Sequence, residues 1–363
     1  MKCGVGDYLF HLTTALTMHD TMTNAVLTSS QAQADDRNKD LAVYPIIDGW
    51  GIGALPQIMR FIRQWNPDIV HIQYPSQGYA VGGGKLRSLA VALLPLLAFA
   101  NRKKVVQTWH EYAAESITSK LNFLIRALAP SRIIVVRPDF LTNANFLVRS
   151  LGRFKDAVFV RGASAIRKHR FPSRKLTETR NMYLQGQKRL IVYFGFLYPH
   201  KGAELLFKIA DPDRDQLLFM GEYDSASAYM AEFKKTMLST TWAGKARLLG
   251  YLPPDEVSLI LSIADAVILP FRTGGGEWNS SLHAAISHHR FVITTSSTRI
   301  GYDKATNVHY CPIDDVAKMK QALTTQPLTG KATSVDDTAD DWEIVAQQHF
   351  NLYKSVSQSG SAE

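Results

Sequence analysis

The sequence predicts an α/β protein. Short apolar runs rich in β-branched and aromatic residues alternate with helix-length stretches along most of the 363 residues, the pattern of a parallel sheet covered on both faces. This rhythm runs once through the first half, breaks over the polar stretch Arg170–Lys188, and starts again at Leu190. A chain of this length with 46% hydrophobic residues is long enough for two cores. Two Rossmann-like domains facing across a cleft are the architecture that follows.

Gly4-Val5-Gly6-Asp7-Tyr8 precedes Leu9, Leu12 and Leu16, a helical spacing whose start falls near the glycines. The glycines read either as a loop that lets backbone N–H groups approach a ligand or as a plain flexible terminus. In a nucleotide-binding α/β domain such a loop follows a strand, yet three residues precede Gly4. An apolar strand encoded upstream of Met1 is therefore expected.

Strands are expected at Ala25–Thr28, Val43–Ile46, Ile69–Tyr74, Lys104–His110, Arg132–Val136 and Ala157–Arg161, and helices at Ala54–Trp65, Leu86–Ala100, Ser119–Ala129 and Thr142–Leu151. Ligands of open α/β sheets collect at the carboxyl ends of the strands. That rule puts Gln73-Tyr74-Pro75 and Thr108-Trp109-His110-Glu111-Tyr112 on the functional edge. His110 and Glu111 either orient or deprotonate a hydroxyl or are strand-end surface residues. The longest apolar run, Leu89–Ala100, is shorter than the ~20 residues of a spanning helix and contains Pro95, so it reads as a buried or interfacial helix.

The second half opens on Leu-Ile-Val-Tyr-Phe-Gly-Phe-Leu-Tyr-Pro-His-Lys-Gly, Leu190–Gly202, a strand, a loop and a helix start. A Lys beside a helix N-terminus makes a site for a phosphate or diphosphate; a solvated turn is the plainer alternative. Further strands are expected at Gln216–Gly221, Arg247–Gly250, Ala266–Phe271, Phe291–Thr295 and Val308–Cys311, with Gly221-Glu222 and Gly250-Tyr251-Leu252-Pro253 on the ligand edge. The strand ending at Phe271 runs into Arg272, three glycines (274–276), Glu277, Ser280 and Ser281 ahead of a helix. Those glycines and serines can cradle a diphosphate, with Glu277 on sugar hydroxyls, or form a capped surface loop. His288-His289 reads as structural, and Asp211-Pro212-Asp213 as a polar loop rather than a metal site.

Cys3 and Cys311 are too few for a disulfide framework and point to a reducing compartment. No secretory leader is visible at the N-terminus. The net charge of +9 is uneven: residues 1–187 carry 24 basic against 12 acidic side chains, the remainder 17 against 20. The basic half reads either as a solubility device or as a surface for an anionic partner such as a lipid face or lipid diphosphate. Its cations are scattered between apolar segments without a nucleic-acid module, so no nucleic-acid partner is expected.

Taken together, Cys3–Tyr8, Pro67–Gln73, Val105–Tyr112, Phe194–Gly202, Gly250–Pro253, Ala264–Phe271, the 274–295 stretch and the final helical stretch from Asp341 to Tyr353 resemble, in order and spacing, the retaining glycosyltransferases of family four, whose two-Rossmann architecture is called GT-B. The resemblance implies an acceptor-binding domain over 1–172, a linker over 173–188, a nucleotide-sugar domain over 189–340, and a C-terminal helix, 341–357, that crosses back to the first domain. It implies cytoplasmic transfer of a sugar from a nucleotide-sugar donor to a glycan or lipid-linked acceptor, with retention and without metal or cofactor. A peripheral position on the inner face of the membrane goes with the basic first half. His110, Glu277 and Lys201 would be catalytic. Gly4, Gly6, Gly195, Lys201, Gly202, Gly221, Tyr251, Arg272, Gly275, Gly276, Ser280 and Ser281 would hold the donor, and Asp7, Tyr74 and Glu111 the acceptor. Two positions depart from the family pattern. No Arg stands a few residues before Lys201, leaving Arg272 or His200 to substitute, and Ala285 occupies the place of a second glutamate after Glu277. A transferase-like subunit that binds without turnover is the alternative.

Overall fold

The computed structural model describes residues 4–19, 21–32, 41–74, 79, 86–110, 117–138, 157–325 and 341–358. The chain divides into two compact units, Met1–Arg161 with Asp340–Glu363, and Gly162–Ala339.

In the first unit, α1 (Gly4–Leu16) buries Tyr8, Leu12 and Leu16, a spacing of four that makes one helical face. Parallel strands β1 (Ala25–Ser29) and β2 (Ala42–Ile47) pair with each other. Helix α2 (Leu55–Trp65) has Pro56 in its first turn and ends on Asn66 at φ 51°, a left-handed stop. Then β3 (Ile69–Tyr74), α3 (Arg87–Ala100), β4 (Lys104–Trp109), α4 (Ile117–Leu128), β5 (Arg132–Val135) and β6 (Ala157–Phe159) build a four-stranded parallel sheet in the order β3-β4-β5-β6. Its core joins Ile72, Tyr74, Val105 and Trp109 to Ile58 and Ile62 of α2 and Val91 and Leu94 of α3. The C-terminal helix, Asp341–Gln358, belongs to this unit and buries Trp342, Val345, Ala346, His349 and Val356. It packs on α1 and starts at an Arg161–Asp341 ion pair of 2.6 Å.

The second unit contains α5 (Ser173–Leu184), β7 (Arg189–Phe194), α6 (Leu206–Ile209), β8 (Asp215–Met220), α7 (Ala228–Met237), β9 (Ala246–Gly250), α8 (Pro254–Ile263), β10 (Ala266–Leu269), α9 (Ser280–Ser287), β11 (Phe291–Thr295), β12 (Gly301–Asp303), β13 (Val308–Cys311) and α10 (Val316–Thr325). Its strands lie in the order β12-β13-β11-β10-β7-β8-β9, all parallel except β12 at one edge. The central strands are near-continuous apolar strings, Leu190–Tyr193 and Ala266–Leu269 being fully buried, because helices cover both faces of a doubly wound sheet. At the base of β7 the Arg189 guanidinium forks onto the Asp215 carboxylate at 2.6 and 2.7 Å and also donates to the Leu323 carbonyl. Burial is tolerated there because each guanidinium nitrogen and each carboxylate oxygen is hydrogen-bonded.

Strands and helices fall within a residue or two of their expected bounds where they are described; the helix expected at Thr142–Leu151 lies outside the described residues. Two expectations are corrected. Gly4 and Gly6 are not a loop but the first turn of α1, since the apolar spacing of that face continues back to Tyr8. The stretch expected as a linker, 173–188, is mostly α5, which packs on α8 inside the second unit. Arg180 holds it there by donating to the Ile263 carbonyl and to Asp265 at 2.7 Å each. Polar composition marked an exposed helix, not a connection, and the boundary between units falls at Arg161–Gly162.

Candidate functional site

In the second unit β7 pairs with β8 on one side and β10 on the other, so successive strands are added outward in opposite directions from this pair. The carboxyl ends of β7 and β10 therefore flank a topological switch point, where open α/β sheets bind ligands. The two loops singled out in the sequence, 195–202 and 270–279, lie there. They rest on each other: a Cβ at Gly202 would lie 2.3 Å from the Pro270 carbonyl oxygen, and Gly202 has φ 70°, a combination that only glycine accommodates. The Arg272 N–H donates to the His200 carbonyl at 3.0 Å. Lys201 is half-buried, its Nζ 5.0 Å from the centroid of the Phe271 ring, a favourable cation–π contact. The helix expected to begin at Lys201 is replaced by two 3₁₀ turns, Pro199–Lys201 and Ala203–Leu205, ahead of the four-residue α6. Left-handed Gly202 interrupts the winding, and so short a helix contributes little dipole.

The glycines do not serve as main-chain donors. The N–H groups of Gly195, Gly202, Gly221, Gly275 and Gly276 are taken by the carbonyls of Met220, Pro199, Gly250 and Thr295 and by Asn279 Oδ1 respectively. What these residues supply is proximity: a Cβ at Gly221, φ 146°, would sit 1.9 Å from the Gly195 carbonyl oxygen. Main-chain donors come instead from the start of α9, where the N–H groups of Ser280 and Ser281 have no main-chain acceptor among the described residues, as expected of a helix N-terminus. Ser281 Oγ lies 3.6 Å from the place of a Cβ on Gly195, so α9 stands directly over the end of β7. Ser280 Oγ accepts from the Ala165 N–H at 3.0 Å.

Arg272 does not offer a free cation. It bonds Glu204 at 2.7 Å and Asp314, and these carboxylates and the Glu204 hydrogen bond push its pKa further up. Glu277 is ion-paired with Arg299 at 3.0 Å, both partly exposed, and its carbonyl accepts from the Gly162 N–H and the His283 ring. Tyr251 is 53% exposed after β9. Glu222, placed on the ligand edge after Gly221, has its Oε2 buried with no hydrogen-bond partner among the described residues. One feature went unremarked in the sequence: Phe196, Tyr198 and His200 stack in sequence, rings 5.8 and 5.9 Å apart. Alternating aromatics at 196, 198 and 200 were the available signal for it. His288, read as structural, is buried between the Ala284 carbonyl and Ser258 Oγ.

In the first unit, His110 follows β4 with its N–H held by the Tyr74 carbonyl at 2.8 Å. Its Nε2 lies 2.7 Å from Gln73 Oε1, and its ring meets Tyr8 edge-on at 4.8 Å. Burial, with neighbouring His349, lowers its pKa to about 3, so the ring is a neutral hydrogen-bonding group at ordinary pH. Gln73 links it to His71, and His71 to Tyr353; sequence reading placed Gln73 on the edge but gave it no role, because Tyr353 is 282 residues from His71. Tyr74, expected to meet the acceptor, is a core residue: it is 2% exposed, donates to the Val91 carbonyl and lies under Arg126. Asp7 is exposed on α1, beside Gly6. Glu111 lies outside the described residues. Among the described residues no group of three or more His, Cys, Asp or Glu side chains could hold a metal ion, and no helix is long and apolar enough to cross a membrane.

No model of a known protein family matches the chain. It is 24% identical over 271 residues to a GDP-mannose-dependent alpha-mannosyltransferase of Corynebacterium glutamicum, which covers 71% of this chain and 57% of that one; the chain thus spans under two thirds of this curated relative's length. Among solved structures it resembles Anabaena HepE in complex with UDP and glucose, with a TM-score of 0.71 at 14% identity over 96% of each chain. It also resembles a sucrose-phosphate synthase from Thermosynechococcus elongatus, with a TM-score of 0.71 at 13% identity over 99% of this chain and 94% of that one. The resemblance to glycosyltransferases drawn from the sequence is borne out by these relatives. With a doubly wound parallel sheet in one unit and a parallel sheet in the other, the chain has the GT-B fold, two Rossmann-like domains, that these glycosyltransferases share.

Proposed function

We infer that the chain is a glycosyltransferase that moves a sugar from a nucleotide-sugar donor to a glycan or lipid-linked acceptor, with retention and without a metal or other cofactor. The observation that carries this reading is Lys201 at the β7–β10 switch point, on a loop seated against Phe271 and Gly202–Pro270. An ammonium there, with the N–H groups and hydroxyls at the start of α9, supplies the positive charge that a leaving nucleoside diphosphate needs as its bond to the sugar breaks. A lysine and a helix end acting together do the work of a divalent cation. His110, neutral and hydrogen-bonded, is suited to bind or orient a sugar hydroxyl. The relative named for GDP-mannose and the solved relative holding UDP and glucose support a nucleotide-sugar donor.

The catalytically impaired alternative is favoured by two observations. Glu277 is neutralised by Arg299, and the position of a second glutamate is Ala285, fully buried against the core. A panel of GDP- and UDP-sugars, incubated with and without membrane lipid extract, separates the two. Nucleotide release that persists in excess chelator supports the metal-free transferase; tight nucleotide-sugar binding without release supports the impaired subunit. The basic first half and the Arg87–Ala100 helix, flanked by Arg102, Lys103 and Lys104, support a peripheral position on the cytoplasmic face of an anionic membrane.

A further inference from the structure

The strands β7, β8 and β9 each finish at a glycine, Gly195, Gly221 and Gly250, and these corners are tied to one another. The Gly195 N–H donates to the Met220 carbonyl at 2.9 Å, the Gly221 N–H to the Gly250 carbonyl at 2.8 Å, and the Leu197 N–H to the Glu222 carbonyl at 3.0 Å. Three neighbouring strand ends without a Cβ leave a strip of bare backbone along the carboxyl edge of the sheet, starting at the Lys201 loop and running away from β10. Strands lie ~4.8 Å apart, so the Glu222 corner is about one strand spacing from the end of β7 and the Gly250 corner about two. A planar ring can lie flat on such a strip.

Glu222 borders it. The side chain is half-buried, its Oε2 is shut off from solvent, and among the described residues no hydrogen bond or ion pair fixes the carboxylate. A carboxylate oxygen closed away from water without a donor is costly, so the fold leaves this group incomplete. Because nothing holds it, it turns about its own side-chain bonds without giving up a hydrogen bond.

We propose that Glu222 determines which base the donor carries, accepting from the N1–H and the N2 amino group of a guanine laid on the strip. The inference deepens the glycosyltransferase reading and rests on it: with the diphosphate at Lys201 and the start of α9 and the sugar toward Glu277 on the β10 side, the nucleoside extends the other way, over β8 and β9. An ionised carboxylate only accepts. Guanine is the common base whose pairing edge carries two adjacent donors, and both oxygens are then used in parallel charge-assisted bonds. Uracil sets one N–H between two carbonyls, and adenine and cytosine present a bare ring nitrogen, so each turns a lone pair toward Glu222. Discrimination comes as much from that repulsion as from the bonds to guanine.

Isothermal titration of the full-length protein with GDP, inosine diphosphate, UDP and ADP, none carrying a sugar, reads the choice of base apart from any transfer. Hydrogen bonds to a charged group correspond to GDP binding about tenfold or more tighter than UDP or ADP. Inosine diphosphate, which lacks only the N2 amino group, should fall between, and this comparison needs no variant. Glu222→Gln keeps the size of the side chain and turns one acceptor into a donor. With its thermal midpoint unchanged, that variant should bind GDP about tenfold more weakly, close to inosine diphosphate, and UDP no worse than before. Equal affinity of the wild type for GDP and inosine diphosphate, a preference for UDP or ADP, or a GDP preference that survives Glu222→Gln would overturn the assignment while leaving a nucleotide site in place. Binding of none of the four would overturn the glycosyltransferase reading and this inference together.

Discussion

Lys201 and Arg272 stand a few residues from the same switch point, and their surroundings decide their roles. Arg272 is spent on Glu204 and Asp314, whereas the ammonium of Lys201 lies over an aromatic ring at the ligand edge. Lys201→Ala is expected to reduce sugar transfer a few hundredfold, because losing one donor to a developing charge costs about 3–4 kcal/mol in the transition state. Its effect on folding should stay near ~1 kcal/mol, the scale of a partly exposed cation–π contact. Turnover and thermal midpoint measured on one preparation check both; unchanged turnover with an active wild type would remove the diphosphate site from this loop. Gly221→Ala belongs to the opposite class. The added Cβ would lie 1.9 Å from the Gly195 backbone oxygen at φ 146°, and backbone cannot step aside as a flexible side chain can. A loss of at least ~2 kcal/mol in a urea titration is expected, and a loss under about 0.5 kcal/mol would mean that the ends of β7 and β8 can separate freely.

The element that most changes the account of the first unit is the C-terminal helix. It brings His349 and Tyr353 against His71 and His110, and burial is the main cause that lowers all three histidines, His349 to about 4 and His110 to about 3, with His71 well below its ordinary value. Each is neutral in the folded unit and protonates in the unfolded chain near pH 6.5. The unfolded state therefore binds more protons below that pH, and stability, fully present above pH 6.5, is lost as pH falls toward 4. Tyr8 and Tyr353, which face them, are both held neutral by burial, so neither adds a charge that offsets the effect. The expected slope is up to about 1.4 kcal/mol per pH unit for each histidine in that window. Denaturant midpoints at pH 7.5, 6.5 and 5.5 measure it, and His349→Gln should lower the slope by one histidine's share; a flat profile in the wild type would show the cluster to be open to water.

At the scale of the molecule, charge is the property that divides the sequence. Residues 1–187 hold twice as many basic as acidic side chains, and the rest a slight acidic excess. In the first unit Leu86 and Phe99 at the ends of α3 and Leu121 and Leu128 of α4 are exposed by 47–55%, apolar side chains close in sequence to Arg87, Arg102, Lys103, Lys104 and Lys120. Such a combination predicts sedimentation with vesicles rich in anionic lipid, weak sedimentation with neutral ones, and release as salt rises above about 0.15 M, where the Debye length falls to about 8 Å. Equal recovery with both vesicle types would leave the charge as a solubility device.

The sequence by itself determined the alternation of strand and helix, hence the α/β class, and the two ligand-edge loops, because period-two and period-3.6 patterns and glycine breaks are local consequences of side-chain shape. It also placed His110 at a strand end. It did not separate the polar α5 from a linker, since an exposed helix and a connection share composition, and it read Tyr74 as a ligand residue when only the packing of α3 shows it is core. Tertiary structure alone decided that Arg272 is occupied, that the glycine N–H groups are used internally, and that Tyr353 reaches His71. Each of these depends on residues far apart in the chain being brought within hydrogen-bond distance, and no local pattern of a single sequence records which distant partner will arrive.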